Sequence, residues 1–242
     1  MSEIKACLFD LDGVIVDTAK YHFKAWKQLA NQLGIDFTED ENEKLKGVSR
    51  MESLQLILNW GGIQKSEKEM IELATLKNDW YVTMITEMKA DEVLSGAEDL
   101  LKELRANNIK IALGSASKNS VTILQKINLL AAFDAIIDGT KVSKSKPNPE
   151  VFLKGAEALG VNPENCIVFE DAEAGVMAAV NANMRVVGIG SKEILHQANF
   201  VVDGLHQLVI KNLRKYLIKI PESAIVFLIF LIYHYEELHQ NR

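Results

Sequence analysis

The stretch Leu8-Phe9-Asp10-Leu11-Asp12-Gly13-Val14-Ile15-Val16-Asp17-Thr18 decides the fold. It continues an apolar run, Ile4 to Phe9, that reads as a buried strand. Two carboxylates follow at alternate positions. Side chains two apart on an extended backbone point to the same side, so Asp10 and Asp12 face one site from a strand end. Two anions that close repel each other and call for a cation or a shared proton. Asp-Gly is also a common surface turn, but a buried strand directly ahead of the pair favours a site.

Outward from this stretch the pattern becomes helical. Phe23, Trp26, Leu29, Ala30 and Leu33 recur at three- and four-residue spacing until Gly34. Further helices are predicted near 39–46, 51–60 and 66–87, with breaks at Gly47 and Gly61-Gly62. From about Asp91 the pattern changes. Helices at 97–107, 117–128, 148–159 and 172–183 alternate with strands at 109–113, 135–137, 166–169 and 185–189. That alternation predicts an α/β fold: a doubly wound, Rossmann-like parallel sheet interrupted after its first strand by an all-helical cap. The expected division is residues 1–16 and 92–220 as catalytic core, 17–91 as cap, and 221–242 as an apolar tail.

The chain has 242 residues, 48% of them hydrophobic, enough for a sizeable core. Its net charge of -6 gives no electrostatic reason to expect nucleic acid or an anionic membrane surface. The longest apolar run, Ala224 to Tyr235, falls short of the roughly 20 residues of a spanning helix. Cys7 and Cys166 each sit in a strand-like run without metal-ligand spacing and read as buried free thiols. With no signal-peptide pattern, a cytoplasmic protein is expected. A monomer is expected too, with the tail as a candidate dimer surface; the tail could equally pack on the core or be read-through sequence.

In such sheets ligands bind outside the carboxyl ends of the strands. The notable polar groups fall there. Asp10 and Asp12 end the first strand, Ser115 ends the strand at 109–113, and Glu170-Asp171 end another. With Asp10 the last two make a set of hard oxygen ligands suited to Mg²⁺, although acids at a helix start are also favoured by the helix dipole alone. Ser115 and the first N–H groups of the helix predicted from Ser117 form an anion site. Lys146, held extended by Pro147, can neutralise charge on a transferring phosphoryl group.

DLDGV-x-DT, S-A-S, a lone Lys before Pro and E-D-x-x-x-G, in this order, resemble the haloacid dehalogenase-like superfamily of phosphotransferases. Thr18–Trp26, Leu45–Arg50, Lys77-Asn78-Asp79 and Gly114–Asn119 resemble its β-phosphoglucomutase branch, over roughly residues 3 to 220. The resemblance implies Asp10 as the nucleophile that becomes an aspartyl phosphate, and Asp12 as general acid and base. It implies one Mg²⁺ held by Asp10, the Asp12 carbonyl and Asp171, with Glu170 assisting. Ser115 and Lys146 would orient the transferring phosphoryl group, with Thr18 at the hinge holding Asp12. Arg50, Ser117 and Asn119 would hold the phosphate that is not reacting, flanked by Ala116 and Lys118. His22, Trp26, Lys77 and the loop Lys46-Gly47-Val48-Ser49 would meet the sugar. Read without the resemblance, His22 equally packs against Trp26 four residues on, Trp26 equally serves as core, and Arg50 and Lys77 read as solvated. One departure is Ala172, where the family commonly has Ser after Glu-Asp.

The expected activity is a mutase interconverting β-D-glucose 1-phosphate and β-D-glucose 6-phosphate, primed by glucose 1,6-bisphosphate. Its partners would be small sugar phosphates. The alternative is a Mg-dependent sugar-phosphate phosphatase with the same core. A binding or scaffold role is third, and the intact set Asp10, Asp12, Ser115, Lys146 and Asp171 argues against it.

Overall fold

A computed structural model describes residues 4–211 and 213. The tail at 221–242, the subject of the dimer expectation, lies outside the described residues. The sheet is parallel throughout, with strands β1 (Ala6–Phe9), β2 (Lys110–Gly114), β3 (Ala135–Ile137), β4 (Cys166–Glu170), β5 (Arg185–Ile189) and β6 (Phe200–Val202). Their order is β3-β2-β1-β4-β5-β6. β1 is central, with Phe9 opposite Leu113 on one side and Phe169 on the other. All four of its residues are buried, as expected of a strand covered on both faces. Phe9 stacks on Phe169 at 4.5 Å between centroids, a pair worth about 0.5–1.5 kcal/mol beyond area burial.

Helices cover both faces: α5 (Ala97–Ala106) and α6 (Ser120–Lys126) belong to one side, α7 (Glu150–Leu159) and α8 (Glu173–Asn181) to the other. Cys7 lies in one core and Cys166 in the other, and both are free. β6 was absent from the sequence reading. It is only three residues long, and the Asn199 side chain accepts from the Val186 N–H at 2.8 Å to seat it beside β5. The helix predicted from Ser117 starts instead at Ser120, because serine side chains turn the chain first.

Between β1 and β2 the chain forms α1 (Ala19–Gln32), α2 (Glu39–Glu43), α3 (Arg50–Trp60) and α4 (Glu67–Thr86). They enclose their own apolar cluster around Trp26, Leu29, Phe37, Leu54 and Ile57. Thr38, Ser49 and Ser66 start α2, α3 and α4 with reciprocal bonds to Glu41, Glu52 and Glu69, which satisfies otherwise orphaned N–H groups. The two strands of chain that join insert and core touch. Val16 bridges Val93, and the Leu94 N–H donates to the Ile15 carbonyl at 2.9 Å. Glu92 binds both Tyr21 at 2.5 Å and Lys20 at 2.8 Å across this junction. Among the described residues, no helix is long and apolar enough to cross a membrane.

Candidate active site

The strand order reverses at β1, between β2 and β4, and the carboxyl end of that crevice is where such sheets bind ligands. Asp10 leaves β1 there. Its N–H donates to the Phe169 carbonyl at 3.0 Å, which fixes it beside β4. Asp10 Oδ2 accepts from the Asp12 N–H at 3.1 Å, and Oδ1 accepts from Lys146 Nζ at 2.6 Å. Lys146 also donates to Glu170 Oε1, whose second oxygen accepts from the Ala172 N–H at 2.9 Å. Glu170 therefore spends both oxygens inside the protein. Asp171 Oδ2 pairs with Lys46 Nζ at 3.2 Å, a contact from the insert to the core.

Two glycines make room for these acids. Gly13 has φ +79°, and a Cβ there would lie 2.1 Å from Asp171 Oδ2. A Cβ on Gly175 would lie 1.9 Å from the Glu170 carboxyl. Burial pushes Glu170 up to about 8 and Asp171 up to about 6; the lysines beside them only partly offset it. Burial, then Asp10 and Asp171, also push Asp12 well up. Lys146 is raised as well: burial pulls it down, but Asp10 and Glu170 outweigh that and hold it charged. Asp10, Glu170 and Asp171 each offer an oxygen within 4.8 Å of the others. Clustered oxygen-only donors at the end of a buried strand fit a hard cation such as Mg²⁺.

The loop after β2 presents Ser115 to Asn119. Ser115 Oγ accepts from the Ser117 N–H at 3.1 Å, and Ser117 Oγ accepts from the Asn119 N–H at 3.2 Å. Asn119 then donates to Asn78 Oδ1 on α4 at 3.0 Å, a second contact between core and insert. From the insert, Lys77 reaches inward with 2% of its surface exposed. Its Nζ lies 2.9 Å from His22 Nδ1, 4.3 Å from the Trp26 ring centroid and 4.8 Å from that of Tyr81. Burial, then Arg50, drive Lys77 well below the usual lysine range. Burial, Lys77 and Arg50 lower His22.

A model of the haloacid dehalogenase-like hydrolases matches residues 7–189. The chain belongs to that haloacid dehalogenase-like family. It is 43% identical over 214 residues to a β-phosphoglucomutase of Bacillus subtilis (strain 168), covering 88% of this chain and 95% of the relative. A Clostridium difficile β-phosphoglucomutase crystal structure superposes with a TM-score of 0.86 at 47% identity, over 88% of this chain and 96% of the other. The family also includes a phosphorylated carbohydrates phosphatase of Thermotoga maritima, 30% identical over 77% of this chain and 85% of the relative.

In this family member, core and insert enclose a cavity of about 810 Å³. Asp10, Asp12, His22, Trp26, Lys46, Gly47, Val48, Ser49, Arg50, Lys77, Ser115, Ala116, Ser117, Lys118, Asn119, Lys146 and Asp171 all line it. Thr18 and Glu170 do not; both are fully buried behind its wall. Trp26 is core as well as wall, at 2% exposure in the insert's apolar cluster. Ser49 is engaged as a helix cap through Glu52 at 2.6 Å. The expected bond between Thr18 and Asp12 is absent: Asp12 Oδ1 and Thr18 Oγ1 are each buried without a hydrogen-bond partner among the described residues. Tyr81 and Asn78 also line the cavity and were missed. Tyr81 lies four residues after Lys77, on the same helix face, and that spacing was the available signal.

Proposed function

We propose that this chain is a mutase that interconverts β-D-glucose 1-phosphate and β-D-glucose 6-phosphate. The observation that carries the reading is a second cationic pole in the cavity. Arg50 opens α3, lines the cavity and forms no side-chain salt bridge or hydrogen bond among the described residues. Lys77 stands nearby with no carboxylate at salt-bridge distance. A hydrolase needs one phosphoryl site. A mutase needs two, because it holds one phosphate while the other reacts and then exchanges them. The similarity to β-phosphoglucomutases from two bacteria supports the same reading.

In this proposal Asp10 carries the phosphoryl group. Phospho-Asp10 gives it to the 6-hydroxyl of β-glucose 1-phosphate, while Asp12 takes the hydroxyl proton. The 1,6-bisphosphate turns over in the cavity. Asp10 then attacks the 1-phosphate, the bond from phosphorus to O1 breaks, and Asp12 returns its proton to O1. The product is β-glucose 6-phosphate and the phosphoenzyme is restored. Free glucose 1,6-bisphosphate would prime the first cycle. Lys146 and Ser115 steer the reacting group, and Arg50, Ser117 and Asn119 grip the idle one. Asp10, the Asp12 carbonyl and Asp171 would hold Mg²⁺, with Glu170 behind them. That ion would offset negative charge on the phosphoryl oxygens. Residues 17–91 act here as a cap that excludes water from phospho-Asp10.

The test supplies Mg²⁺, β-glucose 1-phosphate and a trace of glucose 1,6-bisphosphate, and follows glucose 6-phosphate and inorganic phosphate separately. Glucose 6-phosphate with little free phosphate is the expected result. Free phosphate alone would replace the mutase with a phosphatase.

A further inference from the structure

Among the described residues, three buried side-chain polar atoms lack a hydrogen-bond partner: Asp12 Oδ1, Thr18 Oγ1 and the Tyr81 hydroxyl. Buried polar groups are normally paired, and each exception asks for a reason. Asp12 and Tyr81 line the same cavity, and Thr18 is fully buried outside that lining. The Tyr81 hydroxyl lies close to Thr18 without completing a well-formed bond, and close enough to Asp12 to feel its charge. Each comes from a different part of the chain: Asp12 from the loop after β1, Thr18 from the junction, Tyr81 from α4. The Tyr81 ring is fixed from behind. It packs on the His22 ring at 4.1 Å, with Lys77 Nζ over its face. Its hydroxyl is thus the one adjustable end of a clamped side chain at 1% exposure.

We propose that Tyr81 is a positioning residue for Asp12: its hydroxyl, together with that of Thr18, receives the Asp12 carboxyl when the proton is to move. A hydroxyl both donates and accepts, so it can satisfy the carboxyl in either protonation state. Because Tyr81 rides on α4, the acid is set only when the insert lies against the core. The three unpaired atoms mark the set-up before substrate completes it. This rests on the reading of Asp12 as general acid and base.

The test compares two phosphoryl donors to Asp10 in the full chain with Mg²⁺, using wild type and Tyr81→Phe. With β-glucose 1,6-bisphosphate, the sugar oxygen leaves carrying the Asp12 proton. With acetyl phosphate, acetate leaves without one. Rapid quenching measures phospho-Asp10. Tyr81→Phe should slow transfer from the bisphosphate about tenfold, part of the roughly 10²–10⁴-fold that acid–base catalysis supplies, and leave acetyl phosphate transfer unchanged. Equal loss with both donors, or loss with neither, overturns the proposal. Thr18→Val is the second variant and should show the same donor dependence. Combined with Tyr81→Phe it should cost less than the product of the two, since both act on one group; multiplicative losses would also overturn it. Wild type that makes only free phosphate from β-glucose 1-phosphate would sink the mutase reading, yet the two-donor comparison would still decide the role of Tyr81.

Discussion

Two lysines are buried in the same cavity wall, one from the core and one from the insert, and their surroundings are opposite. Lys146 is 5% exposed and touches two carboxylates, Asp10 and Glu170. Lys77 is 2% exposed and touches a histidine and two aromatic rings. Burial acts on both in the same sense, yet one ends above the ordinary lysine range and the other well below it. The core lysine is therefore neutralised already and serves the architecture as well as the chemistry. The insert lysine is uncompensated until an anion arrives. One pole is built and the other waits, as expected where one end of a substrate is processed and the other held.

The largest effect should come from the built pole. Asp10→Asn keeps the shape but removes the nucleophile, and turnover of β-glucose 1-phosphate should fall by roughly 10⁴-fold or more. Retained phosphoryl transfer would remove Asp10 from its role. Next is Lys146→Met, which leaves Asp10 and Glu170 buried against each other. Breaking a buried pair costs about 3–5 kcal/mol. Urea unfolding should show that loss at pH 8 and a smaller one at pH 6, where Glu170, raised to about 8, takes up a proton. A variant as stable as wild type at both values would mean that Lys146 contributes nothing to the architecture.

The built pole was also the legible one. Asp10, Asp12, Ser115, Glu170 and Asp171 all sit at strand ends, and strand ends can be found from apolar runs. The alternation that located those runs placed every strand but β6, whose three residues carry too little pattern and whose seat depends on a side chain, Asn199. The loop before α6 was misread as helix because serines favour both caps and turns. The waiting pole was harder. That Lys77 faces inward, that Trp26 is both wall and core, and that Tyr81 ends beside Asp12 all depend on how α1 and α4 pack together. Helical periodicity gives a face but not what that face meets. Lys46 shows the same limit: its contact with Asp171 spans the two parts of the molecule.

A third measurement compares the poles through their charge. Glu170 rises from 4.5 to about 8 and Asp171 from 3.8 to about 6 on folding. Between about pH 4 and 8 the folded protein thus binds more protons here than the unfolded chain does. Stability from this pair falls as pH rises through that window. A divalent cation replaces those protons, so the stabilisation by Mg²⁺ should grow from pH 5 to pH 8. At about 100 times its dissociation constant it contributes about 2.7 kcal/mol, or roughly 5–10 °C in melting temperature for a chain of this size. A shift that stays constant or shrinks with pH would place the metal elsewhere.

The smallest effect should separate the poles most cleanly. Lys77→Met replaces a buried amine with an apolar side chain of similar length. Lys77 has no carboxylate to abandon, so stability should change by less than about 1 kcal/mol, with any change favouring the variant. The loss should appear only with substrate. An idle phosphate gripped by Arg50, Ser117 and Asn119 without Lys77 nearby should raise KM for β-glucose 1-phosphate by about tenfold, the lower end of what a hydrogen bond to a charged group is worth. Phosphorylation of Asp10 by acetyl phosphate has no second phosphate to grip and should stay near the wild-type rate. A destabilised Lys77→Met protein would make this lysine structural like Lys146, and the contrast between the poles would fail. An unchanged KM would leave the idle phosphate to Arg50, Ser117 and Asn119 and reduce the cationic part of the second pole to one residue.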